Sequence, residues 1–146
     1  MRRRDDASAL LAAWRRSWQE HGYGYWAVTL SHEPETVIGF GGVMKKRVLP
    51  ELYDNNLYFR LRPDAWGQGY ASELVRAALE AAFLTWSLAH IYGVTRATNT
   101  ASQRTLERAG FECIGTVDDV PENPPSLLYR LTGQAFVGRP STFHEV

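Results

Sequence analysis

The residues whose types and spacing point to chemistry are Trp66-Gly67-Gln68-Gly69-Tyr70-Ala71, which lie between a strand-like run and a strongly patterned helix. Upstream, Leu57-Tyr58-Phe59-Arg60-Leu61 is rich in aromatic residues and is stopped by Pro63. Downstream, Ala71, Leu74, Val75, Ala78, Leu79, Ala82 and Phe83 recur at helical spacing, with Ser72, Glu73, Arg76 and Glu80 elsewhere on the wheel. A strand, a glycine turn and a helix start bring unpaired backbone N–H groups together, and the helix dipole favours negative charge there. The spacing therefore reads as a phosphate-binding turn, with a tight connector as the competing reading. The stretch lacks the Gly-Lys-Ser/Thr ending of a P-loop and the three-glycine spacing of a dinucleotide fold. A phosphorylated ligand other than a nucleoside triphosphate or dinucleotide is favoured.

Two other candidate chemistries are weaker. The single cysteine, Cys113, lies in the alternating run Phe111 to Gly115 and reads as a small core or sheet residue, with no base nearby to activate it. His21, His32, His90 and His144 are scattered without ligand spacing, so no metal site is expected.

The chain has 146 residues, 45% of them hydrophobic, which suits one domain with a sizeable core. Lys and Arg total 16, as do Asp and Glu, so bulk charge does not point to a nucleic-acid partner. Arg2-Arg3-Arg4 is followed at once by Asp5-Asp6 and is not a sustained basic patch. No apolar run reaches membrane-spanning length and no signal-peptide segment opens the chain, so no membrane partner and a cytoplasmic location are expected.

The elements that must position the turn follow from periodicity. Asp5 or Asp6 can cap a first helix with the stripe Ala7, Leu10, Leu11, Trp14 and Trp18, ending near His21-Gly22. Tyr25–Leu30 and Val37–Met44 read as strands joined by the polar segment Ser31 to Thr36, and Lys46 to Asn56 reads as a loop. His90–Thr95 is a strand, and Asn99 caps a short helix through Ala109 that Gly110 ends. Phe111–Val117 and Ser126–Leu131 are further strands, joined by an acidic, proline-rich loop from Asp118 to Pro125. A strand–helix–strand unit within antiparallel pairs implies a mixed sheet with helices packed on it.

Asn99-Thr100-Ala101-Ser102-Gln103-Arg104-Thr105-Leu106-Glu107-Arg108-Ala109-Gly110-Phe111, preceded by the glycine turn, resembles the GNAT superfamily of N-acetyltransferases. The branch most similar is that of the ribosomal-protein alanine and serine N-acetyltransferases. The resemblance covers residues 5–132 of a single acetyltransferase domain spanning 1–146, with 133–146 as a C-terminal tail. It implies an α/β (mixed α+β) fold with a mixed, mainly antiparallel sheet, a splayed parallel strand pair and flanking helices. Relatives begin with a further strand and helix, so this chain reads as lacking the first strand. That leaves a sheet edge along Tyr25–Leu30, which invites a homodimer.

The resemblance further implies acetyl-CoA as donor and a primary amine as acceptor, either a peptide N-terminus or a small molecule. It assigns the pyrophosphate to the amides of Gln68, Gly69, Tyr70 and Ala71, with Gly67 shaping the turn. It puts Leu61 and Arg62 along the pantetheine, makes Asn99 a cofactor contact, and places Ser102 near the CoA sulfur to protonate the leaving thiolate. Asn99 serves equally as a helix cap, and Ser102 as a capping or solvent residue. Arg104 and Arg108 either meet CoA phosphates or form a solvated helix face, and Trp66 either shields the cofactor or packs in the core, with packing favoured. Two positions depart from the family pattern. Leu106 stands where many relatives place a Tyr general acid, and Asn56 stands where a Glu often acts as base. Asn cannot take a proton at neutral pH, which leaves Glu51, Asp54 or a water for that part. The expected reaction is direct transfer in a ternary complex, and the alternative is a catalytically silent acyl-CoA-binding or interaction domain.

Overall fold

In a computed structural model, residues 4–118 and 121–138 are described, with side chains from residue 12 onward. The chain opens with α1 (Arg4–His21), which closes where Gly22 takes a φ of +77° and its N–H reaches the Trp18 carbonyl at 2.9 Å. Strands β1 (Tyr25–Leu30), β2 (Glu33–Leu49) and β3 (Leu52–Leu61) follow as an antiparallel meander. A short 3-10 turn at Pro63–Ala65 leads to α2 (Tyr70–Glu80), which runs on into a π-helical turn at Ala81–Thr85. The chain continues through β4 (His90–Thr95), α3 (Thr100–Arg108), β5 (Glu112–Val117), β6 (Ser126–Thr132) and α4 (Gly133–Gly138). The six strands lie in the order β1-β2-β3-β4-β6-β5, and β3 with β4 is the parallel pair among them.

The sheet separates two environments. Val43, Leu57, Ile91 and Tyr129 face α2 and α3 and form the main core with Val75, Leu79 and Leu106. On the other face Tyr25, Met44, Phe40 and Tyr58 pack under Trp14 of α1. Strand periodicity sets this division, because alternate residues of a strand point to opposite faces.

Several expectations change. The segment Lys46 to Asn56, expected as a loop, is ladder: Lys45, Lys46 and Arg47 pair with Asn55, Asp54 and Tyr53, and the chain turns at Pro50-Glu51. Turn-forming residue types sit in mid-strand because their side chains find partners: Tyr23 Oη donates to Asn55 Oδ1 at 2.6 Å, and Asn56 Nδ2 donates to Tyr25 Oη at 2.8 Å. The polar segment Ser31 to Thr36 is mostly strand, since β2 begins at Glu33. Asp5 and Asp6 lie within α1 rather than ahead of it, and the side chains of Ala7, Leu10 and Leu11 fall outside those described. Of the expected tail, 133–138 are α4, whose Phe136 stacks on Phe83 at 5.1 Å, and 139–146 lie outside the described residues, as do Asp119 and Val120 of the acidic loop. Cys113 is a sheet residue, but on β5 it is exposed rather than in the core. The β1 edge is present as expected: Tyr25–Leu30 forms one border of the sheet.

Candidate active site

The parallel strands part almost as soon as they meet. β3 and β4 share one register pair, Asn56 with Tyr92, after which they diverge. The Arg62 N–H donates to the Ile38 carbonyl at 2.8 Å, which fixes the phase of the β2–β3 ladder. With Phe40 opposite Arg60 and Gly39 opposite Leu61, the backbone polar groups of Leu57, Phe59 and Leu61 then point away from β2, into the fork. Leu61 thus presents its N–H to the gap. Arg62 does not: its N–H is in the ladder and its guanidinium Nε is 2.7 Å from Asp64 Oδ1.

Below the open end of the fork stands the glycine turn. Gly67 and Gly69 have φ values of +76° and +82°, and a Cβ at either would meet nothing within 4 Å. Glycine is required there by backbone conformation, and the space beside the turn is open. Gly69 is the N-cap of α2, yet no side chain caps it, and the first intrahelical bond is Glu73 N–H to the Gly69 carbonyl at 3.1 Å. The amides from Gly69 to Ser72 converge at an N-terminus that the protein itself leaves unsatisfied, the arrangement that binds an anion. Trp66, expected in the core, is 65% exposed. Its indole Nε1 donates to the Leu61 carbonyl at 2.9 Å and ties the turn to the end of β3.

α3 ends differently. Asn99 Oδ1 accepts the Ser102 N–H at 3.1 Å, so the capping role expected of Asn99 is realised, and its amide Nδ2 remains as a donor. Ser102 is half-buried, whereas Arg104 is exposed on the helix. Leu106, the residue in place of a tyrosine acid, is 1% exposed and packs in the core. At the end of β4 the Thr95 hydroxyl is buried without a hydrogen-bond partner, an unusual cost for a folded protein. By strand alternation Thr95 faces the helix side, where α2 and α3 touch. A bound polar ligand between the fork and these helices would satisfy it.

The opposite, α1-side face holds a polar group that motif spacing does not reveal. Asp54 Oδ2 lies 2.8 Å from His90 Nε2, Asp54 Oδ1 accepts the Asn55 N–H at 2.7 Å, and the His90 and Tyr92 rings meet edge-on at 5.3 Å. Asn56 sits on the same face, buried, its amide held by Tyr25. Tyr25 Oη is pushed far up by burial, partly offset by the Asn56 hydrogen bond. Asp54, one of the substitutes expected for the base, and His90 are 36 positions apart and meet only through parallel pairing, so no local signal exposes the pair. No group of three or more metal-type side chains occurs among the described residues, and no helix there is long and apolar enough to cross a membrane.

The acetyltransferase (GNAT) domain model matches residues 1–112 of this sequence. The chain belongs to the GNAT family. Acetyl-CoA is that family's acyl donor. The FsC-acetyl coenzyme A-N(2)-transacetylase of Aspergillus fumigatus is 36% identical over 67 residues, which span 46% of this chain and 28% of that protein. An acetyltransferase from Agrobacterium tumefaciens superposes with a TM-score of 0.71 at 24% identity, covering 89% of this chain and 72% of that one. A dodecameric spermidine N-acetyltransferase from Vibrio cholerae superposes with a TM-score of 0.72 at 15% identity, covering 92% and 78%. The structural likenesses establish a GNAT fold: a mixed, mostly antiparallel sheet with a parallel pair and flanking helices. The ribosomal-protein branch is not what these comparisons single out.

Proposed function

We propose that this protein is an acetyl-CoA-dependent N-acetyltransferase acting on a primary amine by direct transfer in a ternary complex. The observation that carries the reading is the uncapped N-terminus of α2, placed at the open end of a fork between two parallel strands. In this assignment the amides of Gln68, Gly69, Tyr70 and Ala71 hold the CoA pyrophosphate, and Gly67 shapes the turn. The Phe59 and Leu61 N–H groups bond the pantetheine arm, and the thioester lies where β3 and β4 part, beside Asn56. Asn99, with its free Nδ2, contacts the cofactor from α3, and Arg104 offers its charge to a phosphate from solvent. Ser102 gives a proton to the leaving thiolate. Binding both substrates in one cleft converts an encounter into an intramolecular attack, and the fork's N–H groups polarise the carbonyl.

The acceptor approaches from the α1 side, the face opposite α2 and α3. Asp54 and Glu112 lie on that face, each opposite a cation, Lys46 and Arg130, so its charge is balanced and does not by itself select the acceptor. A polyamine and a peptide N-terminus, as in the alanine and serine branch, both fit this description. Self-association through the β1 edge accompanies the reading, given unpaired strand groups along Tyr25–Leu30. The test is acetyl-CoA binding by calorimetry followed by thiol release against polyamines, N-terminal peptides and aminoglycosides. Binding with release supports the transferase and names the acceptor class. Binding without release from any amine leaves a silent acyl-CoA-binding domain, and no binding removes the assignment of the α2 turn.

A further inference from the structure

Asn56 leaves the expected base position without a proton acceptor, and its amide is engaged by Tyr25. The nearest titratable pair on the same face is Asp54 with His90. Asp54 precedes Asn56 by two residues, about 7 Å along the strand, so a short water chain connects the pair to the point where the strands part. His90 is 35% and Asp54 23% exposed at the side chain, open enough for a substrate to reach and shielded enough to hold its geometry.

The pair is held from several sides. Asp54 takes the Asn55 N–H on one oxygen and His90 Nε2 on the other. Asn55 Nδ2 in turn donates to the His90 carbonyl at 3.2 Å, and Tyr23 Oη donates to Asn55 Oδ1. Tyr92 packs its ring against the imidazole edge-on. A carboxylate accepting from Nε2 puts the ring proton there, which leaves the Nδ1 lone pair as the acceptor.

We propose that His90, oriented by Asp54, is the general base that takes the proton from the incoming ammonium group. The proposal rests on the transferase reading above and supplies the residue that reading lacks. The ammonium gives one proton to His90 Nδ1 through water, and its nitrogen lone pair attacks the thioester carbonyl carbon. As the tetrahedral adduct collapses the C–S bond breaks and sulfur leaves with the electron pair. The second proton lost by nitrogen balances the one taken up by the thiolate, and the His90 imidazolium releases its proton to solvent. Asp54 is a positioning residue that holds the ring by its Nε2.

The charged and titratable groups facing His90 are Asp54 on β3, Lys46 opposite Asp54 on β2, Tyr92 on β4, and Arg130 on β6 with Glu112 of β5 beside it. The test measures kcat/KM for the best amine against pH at saturating acetyl-CoA. In His90→Gln it should fall on the order of 100-fold and lose its imidazole limb, with acetyl-CoA affinity within twofold of the parent. In Asp54→Asn, which retains His90 but loses the acceptor that holds its Nε2, kcat should fall about tenfold with the amine KM unchanged, and Asp54→Glu should recover part of it. Added imidazole should restore part of the activity of His90→Ala. Turnover of His90→Gln within threefold of the parent on an unchanged pH profile overturns the assignment, as does a parental kcat in Asp54→Asn. In either case a parent enzyme that releases thiol leaves the transferase reading standing. A parent that binds acetyl-CoA but releases no thiol with any amine removes both.

Discussion

Two helix N-termini flank the fork, and the protein treats them in opposite ways. α3 closes its own end with Asn99, whose side chain accepts the Ser102 N–H. α2 begins at Gly69 in the left-handed region with no side chain at its end. A capped end is stable by itself and offers little to an anion, whereas an uncapped one keeps an unmet demand that a ligand can meet. In the proposed assignment the closed end serves folding and the open end binding. That assignment also explains why a glycine is tolerated as the cap of an 11-residue helix.

The sharpest way to break that contrast is Gly69→Ala. A residue with a Cβ pays about 1–2 kcal/mol in the left-handed region, and relaxation would turn the amides aside. Acetyl-CoA affinity should fall about tenfold to 100-fold by calorimetry, in line with losing one charge-assisted hydrogen bond. Wild-type affinity with a lowered Tm would make the turn a connector after all. Next in size, Ser102→Ala should lower kcat about tenfold, below the usual ~100-fold or more for a proton donor because water can take over, while leaving the Kd for acetyl-CoA unchanged. A large loss of affinity with intact turnover would move Ser102 from the chemistry to binding.

Asn99→Ala addresses the closed end. It should cost about 1 kcal/mol of stability, a few degrees of Tm, and change acetyl-CoA affinity far less than Gly69→Ala does. Comparable losses of affinity in the two variants would erase the distinction between the termini. The last effect, confined to alkaline pH, concerns Tyr129, whose hydroxyl donates to Glu107 of α3 at 2.8 Å. Its pKa is pushed up to about 12, by burial first and by the Glu107 hydrogen bond and charge second. The folded state then holds its proton between pH 10 and 12 while the unfolded tyrosine gives it up, so this contribution is present below pH 10 and lost toward pH 12. Tyr129→Phe should flatten the fall in stability over that window in thermal unfolding, and an unchanged slope would dissociate the residue from it.

How much of this could be read from the residues depended on the range of the interactions. The turn from Gly67 to Ala71 and the Asn99 cap are local patterns, so spacing alone exposed both. The fork was inferred from the family resemblance, and the single Asn56–Tyr92 pair bears it out. What failed were residues with unexpected partners. Asp54, Asn55 and Asn56 look like a turn until Tyr23, Tyr25 and His90 are placed beside them. Trp66 looked like a core residue because of its apolar bulk, while its single N–H determines where it stands. Leu61 and Arg62 were expected together on the cofactor, and ladder phase, invisible in composition, sets them apart.

That Trp66 hydrogen bond has an energetic corollary. One indole N–H joins the last strand carbonyl of β3 to the residue that opens the glycine turn, and in the proposed assignment it ties the pyrophosphate cradle to the pantetheine track. A donor anchored at its phosphate end is then delivered to the fork at high effective concentration, as the second arm of a chelate is. Fragments that carry only one half of the donor should bind with free energies that sum to much less than that of the intact molecule.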